Sequence, residues 1–156
     1  MTLKVKIQKS LTLKTLFPDI AKGFTSQKSR RAIVNEVRNH IKSGKSPVLG
    51  KKFKKYNITY AKQQKGGRRS PVDMTLSGDM LQSLGTQSTA NKNNYRLLFR
   101  QATPADYHNR QGAGKSKVIR RLLPTKNGER FAVGISRLIQ KAALASIDQA
   151  TKKQNR

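Results

Sequence analysis

An α+β fold is predicted by three features of the sequence. A helical apolar stripe lies between Ser29 and Ser43, a strand–turn–strand pattern ends at Arg100, and a second apolar stripe runs from Phe131 to Ile147. Together they predict a small antiparallel sheet packed by a long C-terminal helix and N-terminal helices. The 156 residues make one domain, with 1–14 as a candidate arm and 44–72 as a basic, loop-rich segment.

In chain order, Leu3, Val5 and Ile7 alternate with Lys4 and Lys6, the period of a half-buried strand. An arm that pairs with a neighbouring subunit would have the same pattern. Phe17-Pro18-Asp19 opens a short helical segment that Gly23 can close. From Ser29 to Ser43, Ile33, Val34, Val37 and Ile41 share one helix face, and Gly44 stands in the C′ position. Residues 47–62 place Phe53, Tyr56 and Tyr60 among lysines, a loop with a short helix. Residues 65–71 form a basic turn.

Leu76-Ser-Gly-Asp-Met-Leu-Gln-Ser-Leu84 predicts a short helix, with Ser77 as N-cap and Asp79 in the first turn. Leu76 and Leu81 make a hydrophobic staple there. Its apolar residues Met80, Leu81 and Leu84 give it a face to dock. Residues 86–91 and 95–100 read as a hairpin about the polar turn 91–94, and Val118–Leu123, stopped by Pro124, as a third strand. Phe131, Ile135, Leu138, Ile139, Ala142, Ala143 and Ile147 define a helix over about 128–151, with Glu129 in its first turn and Lys152 and Lys153 past its end.

The residues that carry catalysis elsewhere are scarce. Gly112-Ala-Gly-Lys-Ser116 ends like a phosphate-binding loop, yet Asn109 occupies the place of that motif's first glycine and no apolar strand leads into it. His40 and His108 are the only histidines, and neither has a second metal ligand at motif spacing. The seven carboxylates are scattered singly, and helix starts account for Asp79, Glu129 and Asp19. Too few remain for a two-metal nuclease or an acid–base pair. Ser77 lacks a base and caps a helix instead. The expectation is a non-enzyme without cofactor or metal. Cysteine is absent, which removes disulfides and thiolate chemistry. No apolar run approaches the roughly 18 residues of a membrane span and no signal-peptide core is visible, which predicts assembly in the cytoplasm and no membrane partner.

Charge gives the second signal. Thirty-four Lys and Arg face seven Asp and Glu, a net +27 that repels itself in a compact chain and attracts polyanions. Apolar residues are only 35% of the total, so the core is lean and part of the surface is expected to find its stabilisation in contact with neighbours or a polyanion. The candidate contact residues are Lys51, Lys52, Lys54, Lys55, Arg68 and Arg69 in one loop region. Arg110, Lys115, Lys117, Arg120 and Arg121 form another. No zinc motif, RNP-like strand or helix-turn-helix supports base-specific reading.

The order of features also carries a resemblance. A basic apolar helix precedes Phe53, Tyr56, Tyr60-Ala61 and Lys65, and then comes Leu76-Ser-Gly-Asp-Met-Leu-Gln-Ser-Leu84. After a hairpin, Tyr107-His108-Asn109 runs into a glycine loop, and Ile119 to Phe131 leads to the last helix. Over residues 29 to 150 this resembles the tail-completion and neck, or head-to-tail joining, proteins of tailed bacteriophages, the virion morphogenesis family. That family pairs a Leu-Thr/Ser-Gly helix start with a Tyr-Ala-x-x-His-x-x-Gly stretch and an Arg-x-Phe-Leu strand. Here His108 follows the tyrosine where the family has alanine, and Leu122-Leu123 replaces the strand aromatic. The resemblance implies a structural virion subunit without catalysis. It would form a homo-oligomeric ring between portal or adaptor and tail proteins, with nonspecific contact to phage DNA. The alternative that charge alone suggests is a stand-alone nucleic-acid-binding protein of ribosomal or chromatin type.

Overall fold

The computed structural model describes residues 26–74, 78–88, 95–100, 102–112, 117–124 and 129–154. The expected N-terminal strand, the Phe17–Gly23 segment, Ser77, the 91–94 turn and Lys115 lie outside them. The first helix among the described residues, α1 (Gln27–Lys42), starts where the Ser26 hydroxyl accepts the Ser29 amide at 3.2 Å. It ends as the sequence predicts. Gly44 adopts φ +75, its amide donates to Ile41 and that of Lys45 to His40, a Schellman closure of the last carbonyls. Ile33, Val34, Val37 and Ile41 are its buried face.

A loop leads to α2 (Ile58–Gln64), capped by the Asn57 side chain. The Leu-Ser-Gly-Asp stretch yields only one turn of helix, α3 (Asp79–Gln82), with left-handed Gly78 in the N-cap place and no side-chain cap bond. Sequence periodicity predicts more helix than this. The turn is short because Leu84 already enters strand β1 (Leu84–Ser88), which pairs antiparallel with β2 (Tyr95–Phe99) in the expected hairpin. The register sets Leu84 against Phe99, both buried, with half-buried Leu97 on the same face opposite Thr86. Arg38 of α1 fixes α3 to the rest. Its guanidinium donates to the carbonyls of Leu81, Gln82 and Leu84 at 2.9, 2.9 and 2.6 Å, satisfying two acceptors at the end of the one-turn helix and one at the start of β1.

Next come α4 (Ala102–Asp106) and a π-helical turn over Tyr107–Gln111, where the sequence suggests only loop. The segment Val118–Leu123 is not a third strand. Among the described residues the sheet has two strands, and the Leu122 and Leu123 amides donate instead to the Asn109 side-chain oxygen at 2.7 and 3.2 Å. The last helix, α5 (Val133–Gln154), begins after the expected boundary. Glu129 therefore precedes it and lies 3.6 Å from Arg121, while Lys152 and Lys153 fall inside its last turn. Helix α5 packs on α1, and Ile135 joins Val37, Ile41, Leu81, Leu84, Phe99 and Leu122 in one core. The α+β class and the packing of a C-terminal helix on N-terminal helices hold.

Candidate polyanion interface

The loop between α1 and α2 folds back on itself. Lys45 and Lys52 form an antiparallel bridge, the Ser46 amide donates to Lys51, and that of Phe53 to Gly44. Between these arms the Ser46 hydroxyl accepts the Val48 and Leu49 amides and donates to the Arg121 carbonyl at 2.7 Å. Gly50, at φ +70, closes the turn. One hydroxyl thus holds the turn and ties it to the body.

The sequence Lys51-Lys-Phe-Lys-Lys-Tyr56 sorts itself by burial. Phe53 and Tyr56 face the core, and the two lysine pairs between and before them stay exposed. The Tyr56 amide donates to the Arg69 carbonyl at 3.1 Å, and the Arg69 Nε returns a bond to the Tyr56 carbonyl at the same distance. The structure therefore brings Lys51, Lys52, Lys54 and Lys55 beside Arg68 and Arg69, all exposed.

The bridge adds Lys45, which the sequence reading missed. Lys45 and Lys52 are exposed and directly opposite on antiparallel backbone, an arrangement of like charges that is unfavourable. Nothing local in the sequence marks this, because the pairing arises from the turn. Among the described residues no ion pair involves Lys45, Lys51, Lys52, Lys54, Lys55, Arg68 or Arg69.

Beneath this surface Tyr56 anchors a half-buried polar cluster. Its hydroxyl donates to Asp73 at 3.2 Å and accepts the Met74 amide at 3.1 Å, and Lys65 Nζ lies 2.9 Å from the same Asp73 oxygen. The Tyr60 ring packs 5.0 Å away, while Lys65 and Arg120 each stand 5.7 Å from the Tyr56 ring centre. Burial pushes the Tyr56 phenol up to about 12; the Met74 amide opposes this and the Asp73 carboxylate reinforces it.

Arg120 departs from its expected place on a contact surface. It is 6% exposed and reaches the Lys54 carbonyl at 3.3 Å from below, so it props the lysine segment from inside. Burial lowers its pKa, and Tyr56 and Tyr60 oppose the shift. The neighbouring His108 is pushed down to about 4, first by burial and then by the Arg120 charge. Arg121 is also engaged internally, with Glu129 and with the Asn109 carbonyl at 2.9 Å. Arg110, exposed on the π-helical turn, pairs with Asp106 at 3.3 Å, and Lys117 is exposed at φ +43. Of the eleven residues read from sequence, six lie exposed on the 51–69 region, and Arg120 packs beneath it.

A separate open groove of about 670 Å³ runs between the 45–50 turn and the start of α5, with Leu49 and Val133 exposed on its rim and His40 in its wall. His40 Nδ1 lies 3.3 Å from Glu36, one turn away on α1. Among the described residues no group of three or more His, Asp or Glu could hold a metal ion, and no helix is long and apolar enough to cross a membrane. No protein-family model, curated protein or solved structure matches the chain.

Proposed function

We propose that this chain is a structural subunit of a tailed-phage neck or tail end, completing the head-to-tail junction as part of a homo-oligomeric ring between portal or adaptor and tail proteins. The observation that carries assembly is on α5. Leu144 and Ile147, three residues apart and so on one helix face, remain 66% and 40% exposed, although the same helix buries Ile135 and Ala150. A lean core and an apolar helix face without cover in the single chain both suit a protein completed by its neighbours. The kind of assembly follows from the resemblance carried by Leu76–Leu84, Tyr107–Asn109 and Ile119–Phe131.

The test has a physical and a biological arm. The full chain should elute as a defined multimer by light scattering at moderate salt, and Leu144→Glu with Ile147→Glu should reduce it to a folded monomer. Phage particles made without the protein should separate into filled heads and free tails. Normal tailed particles would end the reading. A stand-alone nucleic-acid-binding role competes with it, and the Lys45–Lys52 opposition favours that role; a monomer that acts on nucleic acid without partner proteins would establish it.

A further inference from the structure

We infer that the surface formed by Lys45, Lys51, Lys52, Lys54, Lys55 and Arg69 binds the phosphate backbone of duplex nucleic acid without reading its bases. The inference deepens the proposed function by giving its charged face a partner, and it rests on that reading only for the setting, a ring crossed by DNA.

Three observations favour a phosphate backbone over an acidic protein. The fold sets Lys45 directly across from Lys52, an opposition that becomes favourable once an anion lies over both. The cations are mostly lysines, which are depleted at the centres of protein interfaces, and the aromatic residues of the same segment, Phe53 and Tyr56, are turned into the core. A protein-binding centre would present those rings outward. None of these cations is matched to a carboxylate of the chain among the described residues, so their charge is directed to solvent.

The same burial of rings distinguishes duplex from single strand. Single-stranded nucleic acid is held on exposed aromatic platforms, and this surface offers none. Duplex contact needs only point charges at the right spacing. Lys51 to Lys55 spans at most roughly 14 Å, and a duplex presents about eight phosphate charges over that length of axis. Arg120, buried beneath and bonded to the Lys54 carbonyl, fixes the segment and adds its own charge to the field.

Net charge alone makes any such chain bind DNA weakly, so the experiment compares variants of equal charge. Affinity of the full chain for a mixed-sequence 30-base-pair DNA duplex is measured by fluorescence anisotropy over a range of salt. The patch variant is Lys45→Gln, Lys52→Gln and Lys54→Gln. The control is Lys141→Gln, Lys152→Gln and Lys153→Gln on α5. The patch variant should lose at least about tenfold more affinity than the control at about 0.15 M salt, and its plot of log affinity against log salt should flatten by about 3 units. Equal losses in the two variants would overturn the inference, as would displacement of the protein from the duplex by poly-glutamate at concentrations where unlabelled duplex does not compete.

Circular dichroism confirms that each variant is folded, and Lys52→Glu is a further check. It should weaken duplex binding while raising the melting temperature, because it turns the opposed pair into an attractive one. A fall in both would refute a surface held against its own stability for binding. A multimer that ignores DNA sinks this inference and leaves the assembly reading intact. A monomer that binds duplex through the patch does the reverse.

Discussion

The side-chain oxygen of Asn109 accepts the backbone amide of Leu122 at 2.7 Å, and both residues are buried. With the Leu123 amide on the same oxygen, one side chain takes two of the amides that a neighbouring strand would pair, and the His108 carbonyl takes that of Arg120. It also ties together two of the segments on which the phage resemblance depends.

Asn109→Leu keeps the branched shape and the heavy-atom count, though with bulkier methyls, and removes the acceptor, leaving two amides without it, one of them fully buried. We expect a loss of about 2–3 kcal/mol, read as a lower urea midpoint with an unchanged slope. A loss under about 0.5 kcal/mol would mean that the segment finds its bonds elsewhere.

Arg38 gathers three carbonyls at the end of α3 and the start of β1. Lysine in its place has one compact ammonium and no planar fork, so Arg38→Lys should cost about 1–3 kcal/mol despite keeping the charge. Amide exchange in β1 and β2 should accelerate more than exchange in α5. Uniform acceleration would count against a local role.

His108 has a folded pKa of about 4 against an ordinary value of 6.5, so the unfolded chain binds the extra proton in between. Stability is full above about pH 6.5 and declines as pH falls toward 4. His108→Gln should remove that part of the slope, seen as the difference between the two proteins' urea midpoints from pH 7 to 4. Parallel curves would show that His108 is not buried as described.

Lys52→Glu places a carboxylate opposite Lys45 and should stabilise the chain by roughly 0.2–1 kcal/mol at low salt, the gain shrinking as salt rises. Calorimetry at two salt concentrations reads both effects. A destabilised variant would show that the bridge does not set the two side chains side by side.

Gly112 has φ +85, and a Cβ there would overlap the Lys117 carbonyl. Gly112→Ala should cost more than the roughly 1–2 kcal/mol of a left-handed residue alone. Gly67→Ala, at φ +82 with open space around it, should cost no more than that. Equal midpoints for the two variants would contradict the close approach.

Local patterns determined much of the molecule. The 3.6-residue stripes produced α1 and α5, Gly44 closed α1, and a polar segment between two strand-like ones marked the hairpin, because each signal acts within a few residues of itself. The lysine runs of the 51–69 region were equally plain. Tertiary structure decided where a segment's hydrogen bonds go. Val118–Leu123 has the composition of a strand, but a strand needs a partner, and Asn109 took that place. It also decided which cations face out. Arg120 and Arg121 read alike with the lysines in sequence, yet one lies under Tyr56 and the other beside Glu129. Lys45 joined Lys52 only when the Ser46–Gly50 turn closed. Composition sets how much charge a chain carries. Which charges end up opposed, buried or free depends on contacts between residues distant in sequence, and those exist only in the folded chain.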